Sequence, residues 1–375
     1  MKFLILFAHH GEGHKTAARN IRNAILVECP HAAVRIVDLF SLTLPHFNRW
    51  LQQCYSLAIN QYTFLWKAAF LTFNRKGTVE AILPFLGVIQ RELARQIEEF
   101  KPVVIVSTYP LYSFFFGKMR KHHLTIAQMP FITVVTDSIT INSVWYRCPS
   151  DAYFVTDIFT ANALSSHGVS PDKIHVFGFP VSLDFENIAP LSQMTPMPWK
   201  ILFLPSARVT HSLHIARLLL AYSDIYLTVL AGKYPHVTKT ICAKISSERL
   251  TTLSWSKQMP QLLASHHLFI GKAGGAIVQE AIAAQCPVIV SHLVPGQEEG
   301  NIQLIEGGGV GTFAAGSAIS VSNAVVQAFA NNATLWKLWK SNMTKMRYPS
   351  AARTIAKFLL KMASFALLTW PCFYS

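Results

Sequence analysis

The chain has 375 residues, 51% of them hydrophobic and 14% charged, a balance that excludes a disordered, collagen-like or coiled-coil polypeptide and supplies core material for two or three domains at ~150 residues each. Its 33 Lys and Arg against 19 Asp and Glu give a net charge of +14, and after Glu306 no acidic residue occurs while seven basic ones do, so an anionic partner, nucleic acid or membrane, is implied. Six scattered cysteines without a CxxC pair signal neither a disulfide framework nor a structural zinc.

Phe3–Ala8 is an apolar run of six residues, shorter than the ~7–15 of a signal-peptide core, and it reads as a buried strand. Val34–Val37, Val103–Ser107, Phe131–Val135, Tyr153–Val155 and Ile174–Val176 follow as strands, separated by helical stretches such as Lys15–Cys29 and Thr78–Phe100. Continuous apolar strands alternating with helices predict a parallel sheet covered on both faces. Residues 39–79 hold no acid, four basic residues and nine aromatics, which suits either a helix pair lying in a lipid headgroup layer or a buried amphipathic pair. Tyr112–Lys121, with three successive Phe, is open to the same two readings.

The pattern stops between Phe185 and Trp199, where Pro190, Pro196 and Pro198 mark a linker. A second series, Ile201–Leu204, Tyr226–Ala231, Leu250–Leu253, Leu268–Ile270 and Val288–Ser291, then predicts a second α/β domain. The expected organisation is two doubly wound Rossmann-like domains facing each other across a cleft, over 1–185 and 200–350, with a linker at 186–199 and an apolar helix over 351–375. The 17 residues Phe358–Tyr374 are interrupted by Lys361 and Pro371 and fall short of the ~20 a spanning helix needs. That segment either packs back on the protein or lies on a membrane surface.

Ligands of open α/β sheets bind beyond the carboxyl ends of strands, and two such loops stand out. The first, His9-His10-Gly11-Glu12-Gly13-His14-Lys15-Thr16, follows strand one and opens a helix. Thr16 occupies the position of the third glycine in a dinucleotide fingerprint, although Asp38 ends strand two where a ribose-binding acid would sit. His14, in the first helical turn, has its charged form disfavoured by the helix dipole, leaving a neutral imidazole able to accept a proton. The second loop, Gly271-Lys272-Ala273-Gly274-Gly275, opens a helix carrying Glu280 and is followed by Pro295-Gly296-Gln297-Glu298-Glu299-Gly300-Asn301. Gly274, Gly275 and Ala276 would offer backbone N–H groups to a diphosphate, Glu280 would accept from ribose hydroxyls, and Gln297, Glu298 and Asn301 would read sugar hydroxyls.

Together with Thr108-Tyr109-Pro110, Val135-Thr136-Asp137, Trp145 and Gly178-Phe179-Pro180-Val181, these motifs make the chain resemble, over nearly its whole length, the diacylglycerol glycosyltransferases and monogalactosyldiacylglycerol synthases, relatives of the lipid II-forming peptidoglycan glycosyltransferase. The resemblance implies a GT-B fold, UDP-glucose or UDP-galactose held by the C-terminal domain, and diacylglycerol on the N-terminal one. It implies an inverting hexosyl transfer with His14 as base and Asp137 as its orienter or a competing base. Gly11, Gly13, Tyr109 and Trp145 would then shape the acceptor loop, and Trp50, Trp66, Lys67, Phe70, Arg75 and Lys76 would meet anionic membrane lipids at the cytoplasmic face. No metal or other cofactor is expected, since no Asp-x-Asp motif occurs, and no nucleic acid, since no nucleic-acid motif accompanies the charge.

Two positions depart from the family. Leu204-Pro205-Ser206-Ala207-Arg208 replaces a glycine-rich turn, so Ser206 or Arg208 would have to contact the phosphates; Asn142 stands where galactolipid synthases carry a histidine. The alternatives are a lipid II-type or lipid A-type transferase, or a membrane-binding relative without turnover.

Overall fold

The computed structural model describes residues 1–369 apart from 10, 61, 122–125, 127, 193–196 and 315. His10, Pro196, Pro371 and Cys372 of the motifs above lie outside the described residues. The chain divides into two units, Met1–Leu183 with Pro295–Gln297 and Ser350–Ser375, and Asp184–Val294 with Glu298–Pro349.

In the first unit six strands, β1 (Lys2–Leu6), β2 (Ala33–Val37), β3 (Val104–Ser107), β4 (Phe131–Val134), β5 (Ala152–Val155) and β6 (Ile174–Val176), form one parallel sheet in the order β2-β1-β3-β4-β5-β6. Successive side chains of a strand point to opposite faces. Thus Phe3, Ile5, Val104 and Val106 pack against Ile21 and Ile25 of helix α1 (Glu12–Glu28). Leu4, Leu6 and Ile105 join a second core across the sheet. After β2 come the helices α2 (Pro45–Asn60) and α3 (Thr63–Asn74), and then α4 (Gly87–Phe100) and α5 (Tyr112–Arg120). The second core holds Ile89 and Leu93 of α4 with Phe115 and Phe116 of α5. The phenylalanine triplet is therefore interior.

The second unit repeats the plan. Strands β7 (Trp199–Phe203), β8 (Ile225–Leu230), β9 (Leu250–Leu253), β10 (Leu268–Lys272), β11 (Val288–His292) and β12 (Gly311–Phe313) form a parallel sheet in the order β12-β11-β10-β7-β8-β9. Its helices include α6 (Val209–Leu220), α7 (Gly275–Ala283), α8 (Glu299–Gly307) and α9 (Ala318–Met346), the last broken by left-handed residues at Asn331, Asn332 and Ala333. Strand β12 escapes the sequence reading because it has three residues and begins at a glycine. Gly311 is required there: a Cβ would stand 1.9 Å from the Val288 carbonyl oxygen.

The last helix, α10 (Ala351–Thr369), belongs to the first unit. Ile355, Leu359, Ala363 and Ala366 enter the core shared with α1, and Arg353 pairs with Glu28. Among the described residues no helix is long and apolar enough to cross a membrane. Since Leu359 is completely buried, Leu359→Ala is expected to lower unfolding free energy by about 2–5 kcal/mol. Urea denaturation checks this, with amide exchange rising in both α10 and α1.

Candidate active site

Strand order in the first sheet reverses between β1 and β3, and the crevice beyond the carboxyl ends of such a pair is where α/β sheets take ligands. Gly11 turns the chain there at φ +98° and caps α1, a conformation only glycine adopts without strain. One turn later His14 is buried. Its Nδ1 stands 2.6 Å from the carbonyl oxygen of Thr108, just past β3, and 3.0 Å from Thr136 Oγ1, just past β4. A carbonyl can only accept, so Nδ1 carries the proton and Nε2 keeps the free lone pair. Burial depresses the imidazole pKa from 6.5 to about 4, and the Thr108 bond offsets part of that. The ring is thus neutral at physiological pH.

Tyr109 meets His14 edge-on with centroids 5.3 Å apart, and Trp145 lies 6.0 Å away. The indole Nε1–H of Trp145 donates to Asp137 Oδ2 at 2.7 Å, so this unit brings His14, Tyr109, Asp137 and Trp145 into one neighbourhood. Two residues past Asp137, Ile139 has φ +55°, a strained conformation for a β-branched residue and a mark of functional loops. Asp38 is not available to a ribose: it caps the helix Leu39–Thr43 by accepting from Ser41 N and Oγ, and it accepts from His9 Nδ1 at 3.1 Å. The dinucleotide reading of this loop loses its acid.

Asn142 has a structural task. Its Nδ2 donates to Phe70 O at 3.1 Å, Ser143 Oγ donates to Asn74 O at 2.8 Å, and Arg147 donates to the carbonyls of Phe73 and Arg75. These bonds satisfy the orphan carbonyls at the end of α3. They also tether that helix to the loop carrying Trp145. None of the described α3 side chains is buried. Phe64 and Leu65 are 80% and 59% exposed, and Trp50 on α2 is 57% exposed. Lys67, Arg75 and Lys76 are also exposed, whereas Trp66 packs edge-on against Tyr55 and Phe70 lies half-buried beside Gly296. Gln297, grouped with this unit, accepts from Tyr55 Oη at 3.0 Å.

In the second sheet the order reverses between β7 and β10. Helix α7 starts there with Gly274 as N-cap and no capping side chain, leaving the N–H groups of Gly275 and Ala276 to an anion. Lys272 lies over Gly274, its Nζ 2.7 Å from Glu298 Oε1, while Glu298 Oε2 accepts from Val294 N at 2.9 Å. Arg208 and His211, after β7, and His292, ending β11, join Lys272. His292 is pushed down to about 4 by burial first and then by Lys272, His211 and Arg208. Lys272 and Arg208, beside two imidazoles whose charged forms are disfavoured there, mark a place for negative charge. Ser206 is buried beside them, its Oγ accepting from Arg208 N at 3.3 Å.

Asn301 Nδ2 donates to Ala273 O at 2.8 Å, but its buried Oδ1 accepts no hydrogen bond among the described residues. Glu280, half-buried on the second turn of α7, is raised from 4.5 to about 7 by desolvation alone. Trp255, 64% exposed in the loop after β9, offers a flat apolar face at the same edge. Lys272, His211, His292 and Trp255 are additions to the residues singled out by motif. Lys272 lies inside a quoted motif, whereas the histidines converge from segments 81 residues apart, 292 − 211, and carry no local signal.

Residues 14–181 match the family model described as monogalactosyldiacylglycerol (MGDG) synthase. This stretch is an MGDG synthase family domain. Beyond it, the chain is similar to monogalactosyldiacylglycerol synthase 3, chloroplastic, of Arabidopsis thaliana, 24% identical over 376 residues that cover 94% of this chain and 80% of that protein. It is similar as well to the processive diacylglycerol beta-glucosyltransferase of Bacillus subtilis, 21% identical over 375 residues, 96% of this chain and 95% of that one. In fold it resembles Phytolacca americana UGT2 complexed with UDP-2fluoro-glucose and pterostilbene, with TM-score 0.62, 12% identity and coverage of 97% of this chain and 99% of that chain. The UDP-GlcNAc 2-epimerase of Neisseria meningitidis bound to UDP-GlcNAc gives TM-score 0.58, 17% identity and coverage of 96% and 100%. The fold is GT-B, and the MGDG synthase family domain makes up most of its first Rossmann-like unit.

A raised carboxyl pKa weakens folding wherever the unfolded chain ionises first, here progressively from pH 4.5 to about 7 and fully above. Glu280→Gln removes that penalty, so it should raise unfolding free energy at pH 8 by ~1–3 kcal/mol and change little at pH 4. Denaturant titrations at the two pH values check this.

Proposed function

We propose that the protein is a UDP-sugar-dependent glycosyltransferase that moves glucose or galactose onto diacylglycerol at a membrane surface. The observation that carries this reading is the neutral His14, its Nδ1–H fixed on Thr108 and its Nε2 free, inside a domain of the MGDG synthase family. The named relatives act on diacylglycerol, and a neutral acceptor alcohol needs a base but no counter-ion.

In this reading Nε2 of His14 takes the proton of the acceptor hydroxyl as its oxygen attacks the anomeric carbon; the bond to UDP breaks with both electrons leaving on the diphosphate, and the anomeric centre inverts. Asp137 stabilises the imidazolium that forms. Lys272, Arg208 and the start of α7 take the departing negative charge. Glu280 accepts from ribose hydroxyls, Asn301 Oδ1 receives a sugar hydroxyl, and the Trp255 indole stacks on the uracil. No metal or organic cofactor enters the scheme.

The membrane contact is α3 with the exposed parts of α2. An apolar helix with cations at its end and no buried side chain suits the headgroup layer, and a chain of net charge +14 suits the cytoplasmic leaflet, where anionic lipid is concentrated.

Incubating the protein with radiolabelled UDP-glucose or UDP-galactose and diacylglycerol in anionic vesicles should give glycolipid. Vesicle binding without product from either donor would sink the enzymatic reading. His14→Ala should lower kcat at least about 100-fold without changing vesicle flotation. Because the depressed His14 is neutral down to about pH 4, the acid limb of the rate profile should lie well below 6.5; a limb centred at 6.5 contradicts His14 as the base.

A further inference from the structure

We propose that the free end of α10 is a second membrane-contact element, entering the headgroup layer of an anionic bilayer tip-first beside the acceptor loop. The inference rests on the membrane reading above and adds to it an element from the far end of the chain.

Glu28, in the last turn of α1, pairs with Arg353 and, at 3.9 Å, with Lys357 in the first turns of α10. The two helices share one core, to which α1 contributes Ile21 and Ile25 and α10 contributes Ile355 and Leu359. They contain 17 and 19 residues, which at 1.5 Å per residue is about 25 and 28 Å. Running antiparallel from the Glu28 pair, α10 therefore ends beside the start of α1, where His14 sits. The outer ridge of α10 is Lys357, Lys361, Phe365 and Leu368, spaced by four, four and three residues on one helical face. Lys357 keeps 63% of its side chain exposed, Phe365 is 65% exposed and Leu368 81%.

The polarity of this ridge has a direction. Its cations lie one and two turns behind an apolar tip, so a helix dipping end-first would bury Phe365 and Leu368 at the acyl boundary while the lysine stems reach up to lipid phosphates. Charge selects the occupant: no acidic residue follows Glu306, which favours an anionic lipid surface over a second copy of a chain that is itself strongly positive. The end of α10 also lies at the helix start that carries the acceptor-side histidine, so a bilayer touching it is one from which the acceptor can be drawn.

The test is flotation with phosphatidylcholine vesicles containing phosphatidylglycerol, comparing wild type, F365S/L368S, K357Q/K361Q and, as a control in α3, F64S/L65S. F365S/L368S should lower the partition coefficient about tenfold with an unchanged thermal melt. K357Q/K361Q should remove much of the dependence on phosphatidylglycerol, and vesicles should slow amide exchange in residues 362–369. Unchanged partitioning of F365S/L368S overturns the proposal. So does a dimeric wild type that this variant converts to a monomer without loss of partitioning. Wild type that fails to float overturns the membrane reading as a whole, whereas sensitivity to F64S/L65S alone overturns only the role of α10.

Discussion

The hydrogen bond from His14 Nδ1–H to the Thr108 carbonyl, at 2.6 Å across the point where the first sheet reverses direction, is the constraint on which the acceptor side of this molecule depends. It ties the first turn of α1 to the end of β3, and Thr108 reciprocates by donating from Oγ1 to the His14 carbonyl at 2.9 Å. The pair of bonds selects the tautomer and holds the ring where burial keeps it neutral. A histidine held less rigidly at a helix start would be no better a base, since its productive tautomer and orientation would be populated only part of the time.

The second unit reaches its arrangement by a different balance. Glu280 is kept in a desolvated place, and Lys272 and Arg208 stand near His211 and His292, whose charged forms burial and neighbouring cations disfavour. Each condition disfavours the free protein, and in the proposed reading each would be relieved by a ligand with hydroxyl donors at one end and negative charge at the other. Lys272 shows how the free state copes: its ammonium lies over Gly274 and rests on Glu298. Glu298 in turn closes its own loop through Val294 N, so the counter-ion that holds Lys272 in place is itself fixed. Instability of this kind, confined to one sheet edge, is what function imposes on an otherwise well-packed domain.

Much of this was legible in the sequence because the strands are continuous apolar runs and parallel sheets bury both faces. The strands of the first series, their alternation with helices and the two glycine-bearing loops follow from that pattern alone. Strand β12 does not, since three residues beginning at Gly311 carry no periodicity. The partners of His14 were half visible: Thr136 stands inside the motif that contains Asp137, but nothing in a linear reading says that Thr108, 94 residues away, turns its carbonyl toward the imidazole. Arg208 and Lys272 stood in quoted motifs, but their meeting with His211 and His292 was not visible, because these residues leave three different strands and meet only when the sheet forms. Asn142, noted in the sequence only as a departure from a family histidine, has a structural contact no linear reading shows: its amide donates to the end of α3.

That last contact joins the surface to the chemistry. Helix α3 has no fully buried side chain among those described, so the usual source of helix stability, burial of an apolar face, is reduced. Besides the half-buried contacts of Trp66 with Tyr55 and of Phe70 beside Gly296, what holds it are bonds from Asn142, Ser143 and Arg147 to its terminal carbonyls. The same short loop contains Trp145, whose indole fixes Asp137 at 2.7 Å. A bilayer covering the outer face of α3, as proposed, would add burial and stabilise the helix. Because the carbonyl bonds would then have an ordered partner, the loop and its Asp137 contact would become more ordered with it. In the proposed membrane reading, docking and the arrangement of the acceptor site would be thermodynamically linked through a segment of six residues, 142–147, and by reciprocity an occupied site would favour the docked helix by the same free energy.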